Sequence, residues 1–144
     1  MRLVLAKQEK HLAEDNYKAT MFTSYLEERF YSMKMLYISD IFSPVSHREE
    51  QDEYADLKID ILKRGMKNPI ILIPNTFENY NLAIRQVNPT YIKPFSMGYK
   101  YICMYGNQRL HIYRRVLAAS YIPSVVTENV EWSHALHLEL KNNS

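Results

Sequence analysis

The chain has 144 residues, 47% of them hydrophobic, which is the size of one domain with enough apolar side chains for a real core. Its formal net charge of +2 and pI near 8.6 are too mild to mark a strongly basic nucleic-acid binder. The single Cys103 excludes an intrachain disulfide and a multi-cysteine metal site and fits a reducing, cytoplasmic compartment, while no apolar run reaches membrane-spanning length and the first residues lack the pattern of a secretory leader.

Residues 1–6 read as a short strand. A helical stripe follows over 10–33, with Leu12, Ala19, Phe22, Leu26, Phe30 and Met33 on one side. Leu12, Ala19, Leu26 and Met33 also recur every seventh residue, so this helix is suited either to close over its own domain or to pair with a second copy as a homodimer. Residues 1–34 are accordingly set apart as an N-terminal strand and amphipathic helix, ahead of a main domain over 35–144.

That domain opens with a strand over 35–41. A helix over 49–64 carries Tyr54, Leu57 and Ile61 on one face. Glu49, Glu50 and Asp52 stand in its first turns, Lys63 and Arg64 at its end, and Gly65 terminates it, as the helix dipole and C-cap geometry favour. The turn Gly65-Met66-Lys67-Asn68-Pro69 leads into branched aliphatics over 70–73, read as a buried strand. Periodicity then weakens over about 74–98, where a short helix over 77–87 and breakers at Asn88-Pro89 and Pro94 describe an insertion between two paired strands.

Residues 99–126 carry the strongest functional signal. A β-forming run over 99–105 ends at Gly106, which frees the backbone for a sharp turn, and a helical pattern starts at once. Over 107–117, Leu110, Ile112, Tyr113, Val116 and Leu117 share one broad arc, while Gln108, His111, Arg114 and Arg115 point away from it. Arg109 breaks the pattern by entering the apolar arc from the first turn. A guanidinium there needs a negative or strongly accepting partner, either an internal carboxylate or a bound anion. The free N–H groups of the helix start point to the same place, so Gly106, Asn107, Gln108 and Arg109 form a candidate phosphate site.

A strand over 124–127 and a helix over 131–141 close the chain, with Trp132, Ala135, Leu136 and Leu140 facing inward and Asn129 as candidate cap. His134 and His137, on the outer side of that helix, have the spacing of two metal ligands, but no third ligand is placed and no metal site is assigned. Cys103, inside a strand, reads as a buried core residue. No GxSxG, Walker, HExxH or DxDxDG motif is present.

The order of these parts over residues 36–140 resembles the N-terminal domain of ParB, which shares the sulfiredoxin-like fold. The matching pieces are ISDI, a helix ending in RG, NPIILIP and YKYICMYGNQRLHIYRRVLAASYIPSVV. In small phage and plasmid members the phosphate turn is commonly G-N-H-R, and here it stands as Gly106-Asn107-Gln108-Arg109. The resemblance implies an α+β fold, a small mixed sheet flanked by helices with an added N-terminal helix. It further implies a nucleoside triphosphate with Mg2+ as ligand, phosphates held at Gly106 and Arg109, and Asn68 and Pro69 beside the pocket.

The chain departs from partition-type ParB at Asn107 and Gln108, where that family has Glu and Arg. Where the family completes its triphosphate site with Glu-Asn-(Leu/Ile)-Gln-Arg, this chain has Glu139-Leu140-Lys141-Asn142, while Glu128-Asn129-Val130 falls too early. No counterpart of the helix-turn-helix DNA-reading domain is expected. The sulfiredoxin cysteine is replaced by Asn107, which removes thiol-based phosphoryl chemistry.

Two functions fit. One is a nucleotide- or phosphate-binding domain, extended to nucleotide hydrolysis or nuclease-like chemistry if Gln108 or His111 orients a water. The other is a non-catalytic DNA- or protein-interaction module that contacts DNA through Lys67, Arg114 and Arg115. For phosphoryl transfer the carboxylates on offer are Glu49, Glu50 and Glu128, none with a specific signal.

Overall fold

The computed structural model describes residues 32–46, 52–66 and 68–142. The first strand and most of the amphipathic helix expected over 1–34, with its dimer face, lie outside the described residues, as do Glu49, Glu50 and Lys67. Within them is a mixed five-stranded sheet flanked by helices, the α+β class expected. The strands are β1 (Lys34–Tyr37), β2 (Ile41–Phe42), β3 (Ile70–Pro74), β4 (Tyr101–Tyr105) and β5 (Tyr121–Val126). The helices are α1 (Asp52–Arg64), α2 (Phe77–Ala83), α3 (Asn107–His111) and α4 (Val130–Asn142).

The strand order β1-β5-β3-β4-β2 places β1 and β2 at opposite edges. Yet only the 3-10 turn Ile38–Asp40 separates them in the chain. Four interstrand steps of about 4.8 Å would part the edges of a flat sheet by roughly 19 Å. Four Cα steps from Tyr37 to Ile41 span at most about 14 Å. The sheet must therefore curl until its edges approach, which is why the single strand expected over 35–41 is broken in two.

Hydrogen bonds close this seam. The Ile38 N–H donates to Ser120 O at 2.9 Å, and the Lys100 N–H donates to Asp40 O at 2.9 Å. Arg114 Nη2 donates to Ile38 O at 3.2 Å and to Ile41 O at 2.9 Å, tying the turn between β1 and β2 to the segment after α3. This corrects the expectation that Arg114 faces solvent for a nucleic acid, because its guanidinium is half-buried in the domain's own closure.

Both faces of the curled sheet are covered. Ile70, Leu72, Cys103 and Ile122 pack with Ile38, Ile41 and Leu110 of α3, and α1 lies outside α3 through Tyr54, Ile61 and Ile112. On the other face, Ile73 and Ile102 pack with Phe42, Tyr80 of α2, Phe95 and Val130 of α4. The period-two alternation along β3 thus serves two cores. The insertion between β3 and β4 is anchored by Asn75, whose Nδ2 donates to Ser96 O at 2.8 Å and Tyr99 O at 2.9 Å.

β5 spans Tyr121–Val126, beginning three residues before the strand expected over 124–127. Pro123 pairs with Met35 of β1, and the parallel ladder with β3 starts only at Ser124, so that side does not require the N–H that Pro123 lacks. The helix expected over 107–117 changes character, since α3 is followed by a π-helical turn over Ile112–Val116. That wider turn rotates the register, so Val116 and Leu117, expected inside, are 40% and 39% exposed. Replacing Arg114 with Ala should lower stability by about 2 kcal/mol by removing two charge-assisted hydrogen bonds at the seam. The expected readout is a lower urea midpoint with an unchanged slope.

Candidate functional site

The site forms where the turn before β3, the end of β4, the start of α3 and the last turns of α4 meet. β3 and β4 pair antiparallel with a register shift between Ile71 and Leu72, so that Ile71 faces Tyr105 while Leu72 faces Cys103. One extra residue, Met104, is thereby taken up by β4. Tyr105 then meets α4, with its hydroxyl 2.9 Å from His134 Nδ1 and its ring stacked on His137 at a centroid distance of 4.0 Å.

Gly106 follows with φ 103° and ψ 25°, in the left-handed region where a side chain is strained. Space forbids one as well. A Cβ there would lie 2.5 Å from Ile70 Cγ2 and 2.9 Å from Arg109 Nη2. The missing side chain is therefore what lets the Arg109 guanidinium fold back over the turn.

Arg109 Nη1 donates to Asn68 O at 2.7 Å and to Pro69 O at 3.3 Å. No carboxylate among the described residues pairs with it. Burial pushes its pKa down from the usual arginine range, so the charge is held by neutral carbonyls in a partly desolvated position. Of the two partners considered from sequence, the internal carboxylate is thus not the one found among these residues.

Beside the guanidinium runs a cleft open to solvent, with a volume of about 100 Å³, lined by Asn68, Pro69, Ile71, Arg109, His137, Leu140 and Lys141. Three of the seven are basic and none is acidic. The other members of the candidate turn do not line it. Asn107 is committed elsewhere, accepting from Ser43 Oγ at 2.5 Å and donating Nδ2 to Cys103 O at 3.3 Å. Its backbone N–H, with those of Gln108 and Arg109, belongs to the first helical turn and has no intrahelical acceptor.

Comparison with known proteins finds structural likeness to solved chains. The C-terminally truncated chromosome-partitioning protein ParB from Caulobacter crescentus, crystallised with CTP-γ-S, is similar with a TM-score of 0.46 and 17% sequence identity. The similar region covers 77% of this chain and 52% of that one, so this chain spans about half the length of that protein. No family model matches the sequence. No curated protein matches it.

The remaining candidates separate by location. His111, expected on the outer side of its helix, is instead buried at 6% exposure, its ring 5.6 Å from that of Tyr54 on α1. Helix α3 is covered on two sides, by the sheet and by α1, which the single apolar arc did not reveal. Arg115 is exposed. His137 and Lys141 were missed as cleft residues. Their spacing of four on α4 would have shown one shared face, but only the packing of α4 over β3 brings that face to Arg109. Cys103 lies in the core, where burial pushes its thiol up to about 12.

Gly106→Ala is expected to destabilise the fold by about 2 kcal/mol through strain and crowding. Gly98→Ala, whose Cβ would meet nothing nearer than Ser96 Oγ at 4.0 Å, should stay within about 0.5 kcal/mol. Equilibrium denaturation of the two variants side by side checks the contrast.

Proposed function

We propose that this domain is a ParB-like module that binds a phosphate group, and through it a nucleotide, in the cleft beside Arg109. The observation that carries this is a partly buried guanidinium with carbonyl partners only, facing a cleft whose lining includes two further basic side chains. Such a position favours an anion that restores neutrality and can accept in the plane of the guanidinium fork. Asn68 and Pro69 hold the arginine through their carbonyls and shape the cleft wall.

The Mg2+ of the triphosphate ligand finds less support. The cleft residues suit the phosphate charge, but among the described residues no carboxylate lines the cleft to hold a metal, and no group of three or more His, Cys, Asp or Glu is placed to do so. His111 is too deeply packed beneath α1 to meet a ligand in the cleft. Binding, with Arg109 as its anchor, is therefore the function proposed, and hydrolysis is not.

Nucleoside mono-, di- and triphosphates, each with and without magnesium, should raise the melting temperature of the wild type, since ligands of the native state stabilise it. Arg109→Ala should abolish the ligand-induced rise, and Arg109→Lys should retain part of it. Reading the rise within each variant separates loss of binding from loss of stability. No rise for the wild type with any nucleotide would refute the proposal.

A second reading, contact with a nucleic-acid backbone, is supported by a different cluster. Burial, then the nearby Arg114 and Arg115 charges, push the Lys93 ammonium down, so three cations share one side of the domain. Arg115 is the exposed arginine of that group. Lys67, also proposed for this contact, lies outside the described residues. If this surface binds DNA, Arg115→Ala should reduce the slope of log K against log salt by about 1, measured by fluorescence anisotropy. An unchanged slope would remove Arg115 from the contact.

A further inference from the structure

The cleft has a second wall with chemistry of its own. His137 and Lys141 stand four residues apart on α4 and share the cleft with Arg109 of α3. The His137 ring lies almost parallel to Tyr105, at an interplanar angle of 6°, which fixes its plane. We infer that Arg109, His137 and Lys141 together form a subsite for a tetrahedral dianion, the terminal phosphomonoester of a larger ligand, and that binding it loads a proton onto His137. This deepens the proposed function and rests on Arg109 being an anion anchor.

Charge and size point to this ligand class. Three basic side chains line the cleft and no carboxylate is among its described lining residues, so a doubly charged group gains more there than the single charge of a phosphodiester. The cleft has a volume of about 100 Å³, room for a phosphate group, whereas sites that enclose whole small molecules run to roughly 300–1,000 Å³. The organic part of the ligand therefore extends out of the cleft.

Proton uptake follows from what surrounds His137. Its titratable neighbours are Lys141 and His134 on its own helix, Arg109 on α3 and the Tyr105 ring on β4. Burial first, then the charges of Lys141, Arg109 and His134, hold its pKa below the usual histidine value of 6.5. At neutral pH the imidazole is thus mostly uncharged. A dianion in the cleft offsets the repulsion from these cations and gives an imidazolium a partner, so the ring takes a proton from solvent and donates it in a hydrogen bond to the ligand. Affinity consequently rises as pH falls toward 6, provided the ligand's own charge is constant.

Sulfate, a dianion across this pH range, isolates the effect from the titration of phosphate. The expected result from NMR titration of the histidine ring protons, at constant ionic strength against chloride, is a His137 midpoint raised by about one unit in saturating sulfate. By linkage, that shift is about tenfold in affinity between the two protonation states. His137→Phe, which retains the stack on Tyr105, should bind sulfate with no pH dependence, at the affinity the wild type shows near pH 8. A His137 midpoint unmoved by sulfate that binds through Arg109, or a full pH dependence in His137→Phe, overturns the inference and leaves the Arg109 reading standing. Sulfate and nucleotide binding both absent, or both unaffected by Arg109→Ala, overturns the two together.

Discussion

The structure depends on a short connection between two strands that lie at opposite edges of one sheet. Three residues, Ile38–Asp40, join β1 to β2, and that distance can be bridged only if the sheet curls. Curling brings the carbonyls of Ile38 and Ile41 to Arg114, and it gives α3 a concave face to fill with Leu110 among Ile70, Leu72, Cys103 and Ile122. The position of α3, and with it the first turn that carries Arg109, is a consequence of that closure.

Two arginines on one continuous helical segment illustrate how differently the fold uses the same side chain. Arg114 donates to carbonyls where the sheet edges meet and completes a structural contact. Arg109 also donates to carbonyls, those of Asn68 and Pro69, but it borders a cleft that other basic groups share. Carbonyl oxygens satisfy N–H donors without cancelling a formal charge. A guanidinium held in this way remains attractive to an anion, whereas one locked to a carboxylate would not.

The cleft is also an example of a site built from pieces distant in sequence. Gly106 supplies no functional group, yet its lack of a side chain sets where the Arg109 guanidinium rests against Ile70. The extra residue in β4 turns Tyr105 toward α4, and Tyr105 in turn holds the His137 ring. Each element is ordinary by itself. Their meeting point concentrates positive charge.

Much of the plan was legible because it rests on local rules. The apolar run at Ile70–Pro74, the glycine ending α1, the Asn129 side chain that accepts from the Trp132 N–H, and the unusual placing of Arg109 all follow from periodicity, capping and backbone freedom within a few residues. What the chain alone could not decide is set by contacts between remote segments. His111 is buried because α1 covers α3, Val116 and Leu117 are exposed because a π-helical turn shifts their register, and the strand near residue 38 breaks because the sheet closes there. His137 and Lys141 join Arg109 only through the packing of α4 on β3. A pattern of residues along one helix defines its faces, but which face meets which neighbour is fixed by the sheet that the whole chain must first assemble.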